Sequence, residues 1–298
     1  MRLVRATYLI IFLLSSSSIF ANISELEKQT LIDLYDSTKG QQWTNSWDLS
    51  KKVDTWQGVS IKNGKVVSIT LMNNNLMGSL PASIGNLKSL QVLNLAFNKI
   101  HGEIPDSITT LAELHVLRLG KNNITGSIPE KIGDLKKLVI LDLFSNDVSG
   151  SIPKSLAKAK RLKVVSISDN NISGRIPNEI GSLEHLERLE LADNNFFGDV
   201  PDSISKLSNL QILVLAENRL SGEFPATVFS LPNLKVLQLQ KNRFDKEVLQ
   251  NSIPIQTDLA LFDFDDVEEN FKVNNFEEFY KNKDSRMADT KFEDDNDN

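Results

Sequence analysis

Between residues 66 and 249 the apolar and polar positions of the chain keep one frame. Leu90, Leu93, Leu95, Asn98, Ile100, Gly102, Ile104 and Pro105 spell LxxLxLxxNxIxGxIP, and the wording returns every 24 residues. Asparagine recurs at Asn74, Asn98, Asn122, Asn146, Asn170, Asn194, Asn218 and Asn242. Glycine follows each of the first seven after four residues and proline after seven. Leu93 and Leu95 alternate with Val92, Asn94 and Ala96, the period of a short strand with one buried face. Leu117/Leu119, Leu141/Leu143, Val165/Ile167, Leu189/Leu191, Leu213/Leu215 and Leu237/Leu239 repeat that pair. Self-similarity at this period predicts a solenoid with one strand per coil, stacked into a parallel sheet. An asparagine amide, with donors and an acceptor, satisfies backbone groups where each coil turns inward. Glycine admits φ > 0 or close approach, and proline stops the strand.

Each coil touches only its neighbours, so both ends need covers. Residues 22–65 predict an N-terminal cap: Leu26, Leu31, Leu34 and Tyr35 have helical spacing, and Trp43, Trp47 and Trp56 supply bulk. Eight repeats then fill 66–249. Residues 250–298 predict a C-terminal cap and acidic tail. Phe262, Phe264, Phe271, Phe276, Phe279, Tyr280 and Phe292 there either cover the open end or belong to an unstructured segment. Residues 1–21 carry Arg2 and Arg5, an apolar run and Ala21, the layout of a cleaved secretory signal. Their apolar run is shorter than the roughly 20 residues a membrane-spanning helix needs. A secreted, periplasmic or cell-surface protein without stable membrane insertion is therefore expected.

Composition narrows the chemistry. The 298 residues contain no Cys and three His, which excludes thiol nucleophiles, zinc ribbons, iron–sulfur clusters and disulfides; no metal and no cofactor are expected. The formal charge of −6 is uneven, because residues 258–298 hold 14 acidic and 5 basic side chains. Asp263, Asp265, Asp266, Glu268 and Glu269 lack the glycine and spacing of a calcium loop. Asn22, Asn123 and Asn171 open glycosylation sequons, although the last two arise from the repeat's own wording.

These motifs resemble leucine-rich repeats of the plant type, marked by LxGxIP, as in receptor-like-kinase ectodomains and polygalacturonase-inhibiting proteins. Leu34, Tyr35, Thr38, Gly40, Trp43, Trp56, Gly58 and Val59 look like the amino-terminal cap of such proteins, so the resemblance covers about residues 24–249. It implies an α/β solenoid: a right-handed superhelix with a parallel β-sheet on the concave face and 3₁₀ or irregular segments on the convex side. The family's cap carries a cysteine pair where Asp54 and Ile61 stand here, and no kinase motif occurs within these residues.

Function in a solenoid is expected on the concave face, at the non-leucine positions of each strand and the turn after it. Arg118 and Lys121 make a basic spot there. Asp142, Asp169, Glu190, Asp193 and Glu217 make an acidic strip with Arg188 beside it, and Phe97 and Phe144 border the two. Strands about 4.8 Å apart let these charges act as one field. The pattern predicts a non-enzymatic module that docks a protein or peptide carrying basic residues, with an aromatic anchor. Two alternatives stand beside it: a surface adhesion protein contacting carbohydrate, and an inhibitor of a secreted hydrolase. His101, His115 and His185 lie in different repeats with no nucleophile near them in sequence, and no basic stripe suits nucleic acid.

Overall fold

A computed structural model describes residues 23–253 and 259–264. The chain enters through helix α1 (Glu25–Ser37). Its first turn is closed by a capping box: Glu27 N donates to Ser24 Oγ at 3.3 Å, and the Glu27 carboxylate accepts from Ser24 N at 3.4 Å. Leu31, Leu34 and Tyr35 form the buried side of α1. Two short 3₁₀ turns then lead into an antiparallel hairpin, β1 (Val59–Lys62) and β2 (Lys65–Thr70).

From β2 onward every coil contributes one strand. These are β3 (Val92–Asn94), β4 (Val116–Arg118), β5 (Ile140–Asp142), β6 (Val164–Ser166), β7 (Arg188–Glu190), β8 (Ile212–Val214) and β9 (Val236–Gln238). They pair in parallel and in chain order, each residue opposite the one 24 positions on: Ile69 with Leu93, Leu93 with Leu117. The identical register places the same frame position of every coil in one column. Leucines of the frame fill one continuous core between the sheet and the convex turns, most of them with no exposure at all. On the convex side, 3₁₀ turns such as Ala82–Asn86 and Asp106–Thr110 begin directly after the repeat prolines. Two minor parallel sheets follow the ladder asparagines, one from Met77 to Thr125 and the other from Ser173 to Phe244.

The asparagine column works as a ladder between coils. Asn98 Nδ2 donates to Leu95 O within its own coil and to Leu71 O of the preceding one, both at 2.9 Å, while Oδ1 accepts from Asn74 N and Leu76 N. The first rung reaches the cap, where Asn74 Oδ1 accepts from Asn45 N at 2.6 Å. Coils also approach closely on the convex side. A Cβ built on Gly133 would lie 1.7 Å from the carbonyl oxygen of Ser155, a backbone atom with nowhere to retreat. Gly133→Ala is therefore expected to cost about 1–3 kcal/mol of stability, the usual range for overpacking, measurable by denaturant unfolding.

Beyond the last repeat the chain forms helix α2 (Lys246–Ser252), whose first turn is capped by Asp245 accepting from Val248 N at 3.0 Å. A tenth strand, β10 (Leu261–Asp263), joins the sheet beside β9 with Leu261 opposite Val236. This strand was not expected; its spacing is 25 residues and no asparagine follows the frame. Phe262 is buried and stacks on Phe264 at 5.0 Å, with its ring edge-on to Phe229 at 5.6 Å. The expected signal segment, the sequon at Asn22, the acidic positions 265–269 and the aromatics from Phe271 onward lie outside the described residues. Among the described residues no helix is long and apolar enough to cross a membrane, and no group of three His, Asp or Glu is placed to hold a metal ion.

Candidate functional site

The parallel register decides which of the candidate residues meet. Arg118, Asp142, Ser166 and Glu190 occupy one column across β4 to β7, and Arg188 lies in the adjoining column. In a strand, residues two apart share a face, so Arg188 and Glu190 close an ion pair at 2.5 Å. Both side chains are nearly covered, with 13% and 12% exposure. Burial pushes the Arg118 guanidinium below its ordinary pKa, against the pull of the Asp142 carboxylate, and the Arg188 charge lowers it further. Arg118 and Arg188 therefore feel one another across the sheet, with carboxylates beside both. Asp142 also accepts from Phe144 N at 3.3 Å. The floor of the concave face is a mixed cluster in which opposite charges are already matched, rather than one acidic field.

The remaining carboxylates sit three positions beyond the strand ends, where every coil turns. Asn73, Phe97, Lys121, Ser145, Asp169, Asp193, Glu217 and Lys241 all have φ between 50° and 59°. Left-handed backbone costs a residue with a Cβ about 1–2 kcal/mol, yet glycine is used at none of these eight positions. The turn is what aims the next residue, the ladder asparagine, inward. It also raises the side chain before it to the rim of the concave face. Asp169 and Asp193 are exposed there, and Glu217 pairs with Lys241 of the next coil at 2.8 Å. Lys121 is exposed on the same rim, next to Phe97.

Phe97 and Phe144 come from coils two apart and still touch, ring centroids 5.9 Å apart and inclined at 63°. The coil between them makes this possible. A Cβ on Gly120 would strike the Phe144 ring at 2.3 Å, so glycine leaves the room in which that ring lies. Sequence reasoning named both phenylalanines and missed Gly120. The signal was present in the column Ala96, Gly120, Phe144, Ser168, Ala192, where one aromatic stands among small residues. The left-handed column carried no such signal, since Phe, Lys, Ser, Asp and Glu share no side-chain chemistry. The histidines stay apart: His101 and His185 are exposed on different coils, and His115 places Nδ1 2.7 Å from Glu113 O.

A long parallel sheet with one strand per coil and a 3₁₀ turn on the opposite side of nearly every coil defines a repeat solenoid. Residues 69–174 match the family model described as "Leucine-rich repeat region", and residues 184–244 match the one described as "Leucine rich repeat". The chain is a leucine-rich-repeat protein and is related to plant receptor-kinase ectodomains. It is 38% identical over 98 residues to the leucine-rich repeat receptor protein kinase EMS1 of Arabidopsis thaliana, covering 32% of this chain and 8% of that protein. The Arabidopsis receptor kinase HAESA, solved in complex with the peptide hormone IDA and the co-receptor SERK1, superposes with a TM-score of 0.58 at 33% identity. That match covers 66% of this chain and 34% of HAESA. A plant ice-binding protein superposes with a TM-score of 0.63 at 26% identity, over 75% of this chain and 81% of its own. The chain thus spans a small part of the receptor kinase it matches in sequence and about a third of the HAESA chain.

Proposed function

We propose that the protein is a non-enzymatic extracytoplasmic receptor module that binds a peptide, or an extended segment of a protein, along the concave face. The observation that carries this reading is the convergence on one face of a ring pair (Phe97, Phe144), a charge-matched floor (Arg118, Asp142, Arg188, Glu190) and a rim with exposed Asp169 and Asp193. A ligand backbone finds polar partners on the floor, and an apolar side chain finds the rings. Basic side chains of the ligand meet the rim carboxylates in solvent, where they contribute more to selection and encounter rate than to affinity. HAESA, a structural relative, is seen with a peptide hormone, which supports a peptide as the ligand class. The ectodomain relatives and the leader-like first 21 residues support a location outside the cytoplasm.

Reversing Asp169, Asp193 and Glu217 together to lysine tests the proposal on an array of random dodecapeptides. The parent is expected to select aromatic peptides rich in Lys and Arg, and the variant to hold those peptides at least tenfold more weakly, with an unchanged circular dichroism spectrum. Equal capture by both proteins removes the rim from the site. Signal confined to a glycan array favours the adhesive reading instead, and stoichiometric capture of a secreted hydrolase with loss of its activity favours the inhibitor.

A further inference from the structure

Nothing in the overall charge announces a basic surface, but the 24-residue register folds one. Residues 131–163 hold eight Lys and Arg against three Asp. Of those three, Asp142 lies on the concave strand β5 and Asp147 follows a ladder asparagine, so Asp134 alone stands among the cations of the convex turns. Lys136 and Lys160 are one period apart and therefore neighbours in adjacent coils, as are Lys137 and Arg161. Lys137, Lys154 and Lys163 are matched by Glu113, Glu179 and Glu187 of the flanking coils, at 2.6, 3.1 and 3.1 Å. Lys136 and Lys160 donate to neutral carbonyls, Gly133 O at 2.6 Å and Ser182 O at 2.9 Å. Lys131, Lys158 and Arg161 are exposed and form no ion pair among the described residues. Five cations on two adjacent coils thus have no carboxylate of their own. Coils stack about 4.8 Å apart at the sheet, inside the screening length of about 8–10 Å, so these cations repel one another.

Anions from outside relieve that repulsion, and their kind follows from what surrounds the patch. A membrane surface calls for apolar anchors, whereas the exposed large hydrophobics of the described chain, Leu26, Leu49, Phe197 and Val248, all lie outside residues 131–163. Single-stranded nucleic acid calls for stacking rings, and the one aromatic of this stretch, Phe144, is on the concave face against Phe97. Sugar hydroxyls call for amides, hydroxyls and imidazole, and these stand where the patch ends. Ser182, whose carbonyl accepts from Lys160, lines a depression of about 580 Å³ together with Asn178, His185, Ser203 and Asn209. Its one carboxylate, Glu184, is balanced there by Lys206. We infer that the convex side of residues 131–163 binds a linear polyanionic polysaccharide, whose carboxylate or sulfate groups meet the five unmatched cations. Such binding holds the protein on an anionic matrix and leaves the concave face free, so it is independent of the peptide reading of that face.

The test is affinity electrophoresis of the full chain through gels holding dextran sulfate, alginate or neutral dextran. The parent is expected to be retarded by dextran sulfate or by alginate and to pass neutral dextran unhindered, and the polymer that holds it tells sulfate from carboxylate. Lys131→Gln, Lys158→Gln and Arg161→Gln together remove three exposed charges that pair with no described carboxylate. This triple variant is expected to bind the retaining polymer at least tenfold more weakly, with an unchanged circular dichroism spectrum. Lys99→Gln, Arg219→Gln and Arg243→Gln, three exposed cations in the column after the ladder asparagines, change the net charge equally and are expected to leave binding near the parent's. No retardation by either polymer, or equal loss in the two triple variants, overturns the inference. Tighter binding to vesicles of anionic phospholipid or to single-stranded DNA, lost in the first triple variant, overturns it in favour of that partner.

Discussion

Trp47→Ala is expected to lower stability by about 3–5 kcal/mol, the range for removing a large buried aromatic, and to do so from the N-terminal end. Trp47 is the middle of a four-ring stack. It lies edge-on to Trp43 at 4.9 Å, is stacked with Trp56 at 4.8 Å and with Tyr35 at 6.1 Å, and is itself only 4% exposed. Its indole N–H donates to Gln57 O at 2.9 Å, so truncation also leaves that carbonyl without its partner. These rings do the work expected of a cap disulfide. Asp54 stands exposed in a 3₁₀ turn and Ile61 half-buried on β1, at the positions where related caps are expected to carry cysteine. With no cysteine in the cap, closure of the core rests on ring packing and hydrogen bonds such as those of Trp47 and Asn45. Because a solenoid is stabilised mainly by contacts between neighbouring coils, the damage should be graded along the chain. Hydrogen exchange of Trp47→Ala should accelerate most over residues 66–98 and least over 189–239, and the denaturant midpoint should fall. A loss below about 1 kcal/mol, or uniform acceleration of all coils, would show that the cap does not seal the array as described.

The solenoid was legible because the rule that builds it is local. One asparagine, three leucines, a glycine and a proline at fixed spacing specify a coil, and a constant period then forces the in-register pairing of Ile69 with Leu93 and all that follow. Where the period failed, so did the reading. Leu261 follows Val236 by 25 residues and has no asparagine behind it, and its membership of the sheet is a tertiary fact. The concave site was legible as a set of columns, since coils one period apart must be neighbours. Its internal chemistry was not. Glu190 counts as part of an acidic strip with Arg188 beside it, and it is the structure that closes the two into an ion pair. The contact of Phe97 with Phe144 bridges a whole coil and depends on what Gly120 lacks. Column reasoning orders residues along the sheet, but it does not say which side chains lean across it.

The same locality makes the asparagine ladder the most sensitive element of the array's middle, and Asn146→Leu the sharpest probe of it. Asn146 Nδ2 donates to Leu119 O at 3.1 Å and to Leu143 O at 3.0 Å, while Oδ1 accepts from Ile124 N at 2.9 Å. Leucine keeps the branched outline and heavy-atom number of asparagine but is bulkier, so the change removes the hydrogen bonds and adds some overpacking. It strands a buried amide and carbonyls belonging to two coils, each worth about 1–3 kcal/mol when left unmatched. A total loss of about 3 kcal/mol or more is expected from equilibrium unfolding. The location gives the experiment its second arm, because Asn242 is the last rung and is itself half-buried. Asn242→Leu leaves groups that water can reach, and its cost should be less than half that of Asn146→Leu. If instead the two cost the same, the asparagines act through the left-handed turn that precedes each of them, and not through the bonds they make between coils. The comparison also bears on the ligand face, since Ser145 and Lys241 occupy that turn immediately before these rungs. A rung lost at Asn146 should therefore loosen the rim beside Phe144, whereas one lost at Asn242 should leave that ring pair undisturbed.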